Sequence, residues 1–440
     1  ILLECGIHQG GDAIDRISKE DFKFVPSNID AVILSHAHLD HSGLLPKLVH
    51  DGFKGVIYCT NGTKQLLKIL LEDAVHIYLK DIEYENLRRE RSGKKALTPQ
   101  YTLDDVQTVL RLCQGQDYHQ PLNFLEFFSL TFHDAGHILG SSIVELAVKD
   151  DVDTKTLVFS GDLGNPDTSL MRNFDFVEKA DVVLMESTYG DRDHRCFSET
   201  IDEFKAILKE AEADGGNILI PSFAVGRTQE LLFHLGKMYH EGLLDHWHVF
   251  LDSPMAKAVT DVYSNCIRQL DHADVALIRE KHGHDLASFL PNLTISESVE
   301  DSAAINNIKN GAIIIAGSGM CTGGRIRHHF KHRLWKANTH IVFVGFQARG
   351  TLGRILVDGV KRIKLFGQPI MVRAHIHTLG GFSAHAGQKE LLAWASHFKP
   401  QPRLYLIHGE PKAMEVLSDA LAQKHRINAE VPAQLSQILF

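Results

Sequence analysis

The segment His36-Ala37-His38-Leu39-Asp40-His41 places three imidazoles and one carboxylate in a single short loop. Imidazole nitrogen suits zinc, and a carboxylate adds negative charge that a divalent ion neutralises. One short loop cannot wrap all four groups around one tetrahedral ion, so the pattern points to two adjacent ions. Two ions need further ligands, and distant segments offer them in similar settings. His137 sits in Asp134-Ala135-Gly136-His137-Ile138-Leu139-Gly140-Ser141, Asp162 in Phe159-Ser160-Gly161-Asp162-Leu163-Gly164, and His408 just past the apolar run Leu404-Tyr405-Leu406-Ile407. Glycines beside them allow close backbone approach. The chain has 27 histidines, and a lone histidine near a strand end is more often an ordinary polar contact, so the clustered loop carries the reading. The chemistry of such a set is metal-assisted hydrolysis.

The elements that must position these residues are legible as apolar periodicities. Ala31-Val32-Ile33-Leu34 reads as a buried strand leading into the histidine loop. A strand over 55–59 and a helix over 63–78 follow, and residues 80–95, dense in both charge signs, read as a solvated helix face and loop. Strand patterns at 127–132, 143–148, 156–159 and 182–185 come next. A second alternating unit opens with Thr200-Ile201-Asp202-Glu203, read as a capping box, and Gly215-Gly216 stops its helix. Strands at 218–220, 249–251, 313–315 and 341–344 alternate with helices at 228–239, 255–270 and 326–335, the rhythm of an open parallel sheet covered on both faces. Ligand-type residues then return, so the simplest architecture is one domain split by another inserted within it.

The bulk properties agree. A chain of 440 residues exceeds one core, and 44% apolar with 23% charged residues is ordinary for a globular protein. A net charge of -9 excludes a protein coated in positive charge but not a metal-lined cleft that attracts phosphate locally. Six scattered cysteines with no CxxC pair exclude a disulfide framework or a cysteine zinc site and suit a reducing, cytoplasmic compartment. No membrane-length apolar run or signal peptide is present, so no membrane partner is expected. Ile1 to Gly6 reads as a strand entering a turn, and upstream strands are expected to precede it.

The histidine loop, followed in order by the His137, Asp162 and His408 contexts, resembles the metallo-β-lactamase superfamily. Met185-Glu186-Ser187-Thr188-Tyr189-Gly190, Gly381-Phe382-Ser383-Ala384-His385 and Ile407-His408-Gly409-Glu410 resemble motifs A, B and C of its β-CASP group of RNA-processing nucleases. That group includes the endonuclease subunit of the pre-mRNA cleavage factor and its prokaryotic homologues. Further phrases, such as Pro221-Ser222-Phe223-Ala224-Val225-Gly226-Arg227 and Gly317-Ser318-Gly319-Met320, extend the match over nearly the whole chain.

The resemblance implies an α/β fold: an αββα sandwich over 1–190 and 371–440, with a β-CASP domain containing a mainly parallel sheet inserted at 191–370. It implies that His36, His38 and His137 hold one zinc, that Asp40, His41 and His408 hold the other, and that Asp162 bridges. Two Zn2+ per chain are expected, with Mn2+ as the alternative metal. His385, oriented by Glu186, would be the proton donor, so Asp40, His385 and Glu186 are the expected catalytic set. Glu4 stands where the family usually has Asp and would brace a ligand. Gly387 stands where an Asp commonly follows motif B. The implied reaction is attack on phosphorus by a hydroxide shared between the ions, leaving 3′-hydroxyl and 5′-phosphate ends on RNA.

Phosphate must also be held. Gly226-Arg227-Thr228, Ser318-Gly319 and Thr322-Gly323-Gly324 stand at helix starts, where backbone N–H groups bind anions. Arg227 and Arg325 could add charge-assisted bonds, so Arg227, Ser318, Gly319 and Arg325 are the expected phosphate contacts. The basic run Arg325, Arg327, Lys331, Arg333 and Lys336 reads as a solvated helix face except at Arg325. RNA is the expected partner, and a homodimer is the candidate assembly. Two competing readings are a non-catalytic RNA-binding subunit and a metallo-β-lactamase-fold hydrolase of another substrate. The intact ligand set argues against the first and motifs A to C against the second.

Overall fold

A computed structural model describes residues 1–8, 14, 17, 21–149 and 153–438. The chain divides into two units. One comprises residues 1–163, 173–191 and 388–440, and the other residues 164–172 and 192–387.

In the first unit, parallel strands Leu2–Leu3, Ala31–Ile33, Val56–Thr60 and Cys113–Gln116 lie side by side in chain order. Strand Ala31–Ile33 is buried throughout, as a strand covered on both faces must be. A second sheet runs Ala429–Glu430, Arg403–Leu406, Val182–Met185, Thr154–Phe159, Ser142–Lys149, Phe128–Asp134 and Leu122–Phe124. Ala31, Ile33 and Tyr58 of the first sheet pack with Leu130, Phe132 and Val144 of the second. The two sheets thus share one apolar core. Helices Asn61–Arg91 and Leu103–Leu112 pack on the first sheet, and Gln388–Ala395 and Pro411–His425 pack together beside the second, which completes the αββα arrangement.

Helix Asn61–Arg91 is one element of 31 residues, capped by the Thr60 side chain accepting from Thr63 N–H. The sequence divides it near residue 80, where charge becomes dense. Buried Val75, Tyr78 and Ile82 carry the apolar stripe past that point, so most of the charged stretch is the outer face of the same helix.

The second unit is built on six parallel strands in the order Leu293–Ile295, His248–Asp252, Ala312–Ala316, Asn217–Pro221, Thr339–Phe343 and His375–Thr378. One face is covered by Phe204, Ile207, Leu231 and Leu235 from helices Phe197–Ala213 and Arg227–His240. The other is covered by Ile326, Phe330 and Leu356 from helices Ile326–Arg333 and Leu352–Val357.

Three local expectations need correction. The helix expected to start from a capping box at Thr200 begins instead at Phe197. Thr200 is buried, and its hydroxyl donates back to the Cys196 carbonyl at 3.2 Å, while the Phe197 ring packs on His234 and Phe382. The single helix expected over 255–270 is Pro254–Asn265 followed by a 3-10 turn at Ile267–Gln269. Asp271 then caps a new helix, His272–Glu280, by accepting from Ala273 and Asp274 N–H. Arg333, read as part of a solvated face, is fully buried and donates to Asn306 Oδ1 and to the Ile305 carbonyl.

Candidate metal centre

All seven side chains singled out as ligands belong to the first unit, at the ends of its strands. His36 and His38 follow strand Ala31–Ile33, and Asp40 and His41 lie on the short helix Leu39–Ser42. Gly6 explains how that turn is held. Its Cα lies so close to Asp40 that an added Cβ would sit 1.5 Å from the Asp40 carbonyl oxygen. Cys5 N–H donates to the His41 carbonyl and Ile7 N–H to that of Leu39, at 2.7 and 2.9 Å. Only glycine permits this approach.

Glu4 sets the orientation of two histidines. Its carboxylate accepts from Ser35 N–H at 2.6 Å, from the Ser35 hydroxyl at 2.9 Å, and from His41 Nδ1. A carboxylate only accepts, so His41 carries its proton on Nδ1. The Ser35 hydroxyl gives its one proton to Glu4, and therefore accepts from His36 Nδ1 at 3.0 Å. Both rings are thereby turned so that Nε2 faces Asp162 Oδ2, 3.5 Å from His36 and 3.4 Å from His41. Positive charge, carried by a proton on Nε2 or by a metal ion, is what this pairing of buried imidazoles with a buried carboxylate favours.

Asp162 faces two groups of ligands. Oδ2 is turned to His36, His41 and His137, the last at 3.8 Å, and Oδ1 lies 3.2 Å from His408 Nδ1. His36, His38, His137 and Asp162 form one cluster in which the donor atoms are mutually close, and Asp40, His41 and His408 form another. His38 Nδ1 is 3.0 Å from His36 Nε2 and 3.3 Å from His137 Nε2, and His408 Nε2 is 3.9 Å from Asp40 Oδ2. Bonds of about 2.0–2.1 Å to a tetrahedral zinc put ligand atoms roughly 3.3 Å apart, so the first cluster matches in donor type and in spacing. His137 is held by its own N–H donating to Ser141 Oγ at 3.0 Å.

The local field agrees. Burial opposes charge on His41, but Asp162 and Glu4 outweigh it and raise the imidazole pKa well above its usual value. Burial would raise the pKa of Asp162, yet His41, His408 and His36 hold it well below the carboxylate range. His36 goes the other way, pushed down by burial and by His41. Positive charge between Asp162 and Glu4 is what this site favours.

Glu186 is fully buried and accepts from Leu163 N–H at 2.6 Å and Thr188 N–H at 3.3 Å. It fixes the loop that carries Asp162. His385 belongs to the second unit. Its strand-like pairing with Gly164 and a 2.9 Å hydrogen bond from His194 Nε2 to its carbonyl hold that loop.

The expected phosphate contacts gather at the carboxyl ends of the parallel strands of the second unit, where ligands bind in open α/β sheets. The ring of Phe223 lies against Gly319, and Gln347 Nε2 donates to the Gly319 carbonyl at 3.0 Å. Arg227 Nη1 bonds Glu230 Oε2 at 2.7 Å, and its guanidinium lies 5.9 Å from the Phe382 ring centre. Arg325 turns partly inwards. Nη1 donates to Asp252 Oδ1 and the Ser296 carbonyl, and Nη2 to the Glu297 carbonyl. Nε and one Nη2 proton remain for a ligand.

Sequence reasoning missed Ser35, which relays Glu4 to His36, and Asp252, which gathers Arg325, His329 and Ser302. Ser35 directly precedes the histidine loop, so adjacency was its only signal. Asp252 closes an apolar strand, where a carboxylate with no nearby partner in sequence stands out.

Comparison with known proteins completes the assignment. A metallo-beta-lactamase superfamily domain matches residues 1–184, a Beta-Casp domain residues 228–356, and a Zn-dependent metallo-hydrolase RNA specificity domain residues 369–432. The chain is 38% identical over 426 residues to a protein named Ribonuclease TTHA0252 from Thermus thermophilus, covering 96% of this chain and 90% of that one. It is 30% identical over 460 residues to Transcription termination factor FttA of Methanosarcina mazei, covering all of this chain and 67% of that one. The FttA of Thermococcus kodakarensis is 31% identical over 457 residues with the same coverage. No helix among the described residues is long and apolar enough to cross a membrane. From its ordered ligand motifs to its inserted parallel sheet, the chain belongs to the metallo-β-lactamase superfamily, in the metallo-hydrolase β-CASP ribonuclease family.

Proposed function

We propose that this protein cuts RNA phosphodiester bonds by hydrolysis at a pair of zinc ions, leaving 3′-hydroxyl and 5′-phosphate ends. The observation that carries the reading is Asp162, buried between the cluster of His36, His38 and His137 and that of Asp40, His41 and His408, with Oδ2 near His36, His41 and His137 and Oδ1 near His408. His36, His38 and His137 would hold one ion, Asp40, His41 and His408 the other, and Asp162 both. Ions so held activate water at neutral pH and neutralise charge on phosphoryl oxygens.

The chain's own residues do the rest. Glu4 fixes the tautomers of His36 and His41, so that neutral lone pairs face the ions. Glu186 holds the Asp162 loop, and His385 would hand a proton to the leaving oxygen. Motif B in the sequence supports that role. Arg227, the free donors of Arg325 and the backbone N–H groups of Ser318 and Gly319 would hold phosphates of the strand. The match of residues 369–432 to an RNA specificity domain supports RNA as the polymer.

The test is digestion of end-labelled RNA by the purified chain with zinc or manganese, beside an Asp162→Ala variant. Cutting by the wild type alone, with 5′-phosphate on the downstream product, is the expected result. Equal cutting by both proteins refutes the assignment. A second reading, action in transcription termination, is favoured by the relatives named for it. Release of transcripts without cutting by the Asp162→Ala protein would single it out.

A further inference from the structure

The second unit carries another group of metal-type donors, far in sequence from the first. Glu210 and Asp214 end helix Phe197–Ala213, His340 lies on strand Thr339–Phe343, and His375 and His377 lie on the edge strand His375–Thr378. His340 and His375 are register partners in adjacent parallel strands. One donor atom from each of Glu210, Asp214, His340 and His375 falls within 4.8 Å of all the others. His340 Nε2 is 3.2 Å from Asp214 Oδ2, His375 Nε2 is 3.8 Å from the same oxygen, and His375 Nδ1 is 3.6 Å from Glu210 Oε1. We propose that Glu210, Asp214, His340 and His375 form a further binding site for zinc or a similar borderline divalent cation, independent of the centre built on Asp162.

Three observations support it. The first is the spacing around Asp214 Oδ2, which lies 3.2 Å from His340 Nε2 and 3.8 Å from His375 Nε2, against roughly 3.3 Å between ligand atoms of a tetrahedral zinc bound at about 2.0–2.1 Å. The second is the charge arrangement. Glu210 and Asp214 stand four residues apart on the last turn of a helix that has no basic residue there. Like charges at that spacing repel, and carboxylates at a helix C-terminus oppose the macrodipole. A divalent cation offsets both costs. The third is that His340 has an orienting neighbour. His340 Nδ1 lies 3.0 Å from His377 Nε2. When Nδ1 donates there, the Nε2 lone pair of His340 faces Asp214, and His377 acts as the orienting partner that metal-bound imidazoles have.

The carboxylate turn is rigidly seated as well. Gly216 lies so near Asn338 that a Cβ would be 1.8 Å from its carbonyl oxygen, and Asn338 Nδ2 donates to the Gly215 carbonyl at 2.9 Å. A bound cation would clamp the helix end to the edge strand of the sheet. The residues that form it are exposed except His340, which is buried, so a free ion can reach them.

Zinc stoichiometry decides the question. The full chain and the variants His375→Ala and Asp214→Asn are dialysed against Zn2+ at pH 7.5, and metal per chain is measured by mass spectrometry. The expected result is one zinc fewer per chain in both variants. Both retain RNA cutting, and zinc raises the melting temperature more for the wild type than for either. An Asp162→Ala chain keeps the zinc that the other two variants lose. Zinc content unchanged from wild type in either His375→Ala or Asp214→Asn overturns the proposal, whatever becomes of the Asp162 centre.

Discussion

Replacing Glu4 by Gln isolates the brace from the ligands it orients. The carboxylate accepts three hydrogen bonds, from Ser35 N–H, the Ser35 hydroxyl and His41 Nδ1. Glutamine keeps the length but offers one oxygen and one NH2. With its oxygen on Ser35 N–H, the NH2 meets the His41 Nδ1 proton and the Ser35 hydroxyl proton, donor against donor. His41 escapes by moving its proton to Nε2, which removes the lone pair aimed at Asp162. Loss of such an orienting partner costs about 10–100-fold in metal affinity, or roughly 1.4–2.8 kcal/mol. The assay is competition for Zn2+ against a chromophoric chelator at pH 7.5, with circular dichroism to confirm the fold. The expected result is one zinc weakened by that factor, with RNA cutting reduced in step and recovered in part by excess zinc. Unchanged zinc affinity in a folded Glu4→Gln chain would refute the tautomer argument and with it the role of Ser35.

Three further outcomes follow from the same structure. Gly6→Ala puts a methyl group against the Asp40 carbonyl, so the histidine turn must shift, and the variant is expected to lose both metal and RNA cutting, read by metal content and product yield. His385→Ala is expected to keep both zinc ions and to slow cutting by about 10²–10⁴-fold, the usual contribution of a general acid; single-turnover rates at saturating metal check it. Burial raises the pKa of Glu230 to about 7 against the pull of Arg227. The folded chain therefore holds a proton that the unfolded chain releases near pH 4.5, and stability from this group is full below that value and is lost as pH rises through about 7. That loss is on the order of 3 kcal/mol. Melting temperatures of Glu230→Gln relative to wild type are expected to rise between pH 5 and 8, and a constant difference would contradict the assignment.

The sequence by itself determined the ligand types, the order in which they occur and the periodicities that place them at strand ends. Those are local properties. Three imidazoles in six residues and a glycine beside a lone carboxylate are visible without any fold. The alternation of apolar runs likewise specified two layered units, since each strand of type Ile313-Ile314-Ile315 must be covered on both faces. Only the tertiary structure decided which atom of each residue points where. Glu4 reaches His41 and Ser35 across 37 and 31 residues, and that long-range contact sets the tautomers. It also decided that Arg333 is buried while the other basic residues of its run are not, and that Phe197 rather than Thr200 opens its helix, its ring packed on Phe382. The grouping of Glu210, Asp214, His340 and His375 was illegible for the same reason. It depends on parallel strand register and on a helix end seated against it, and nothing in the local sequence of either segment announces the other.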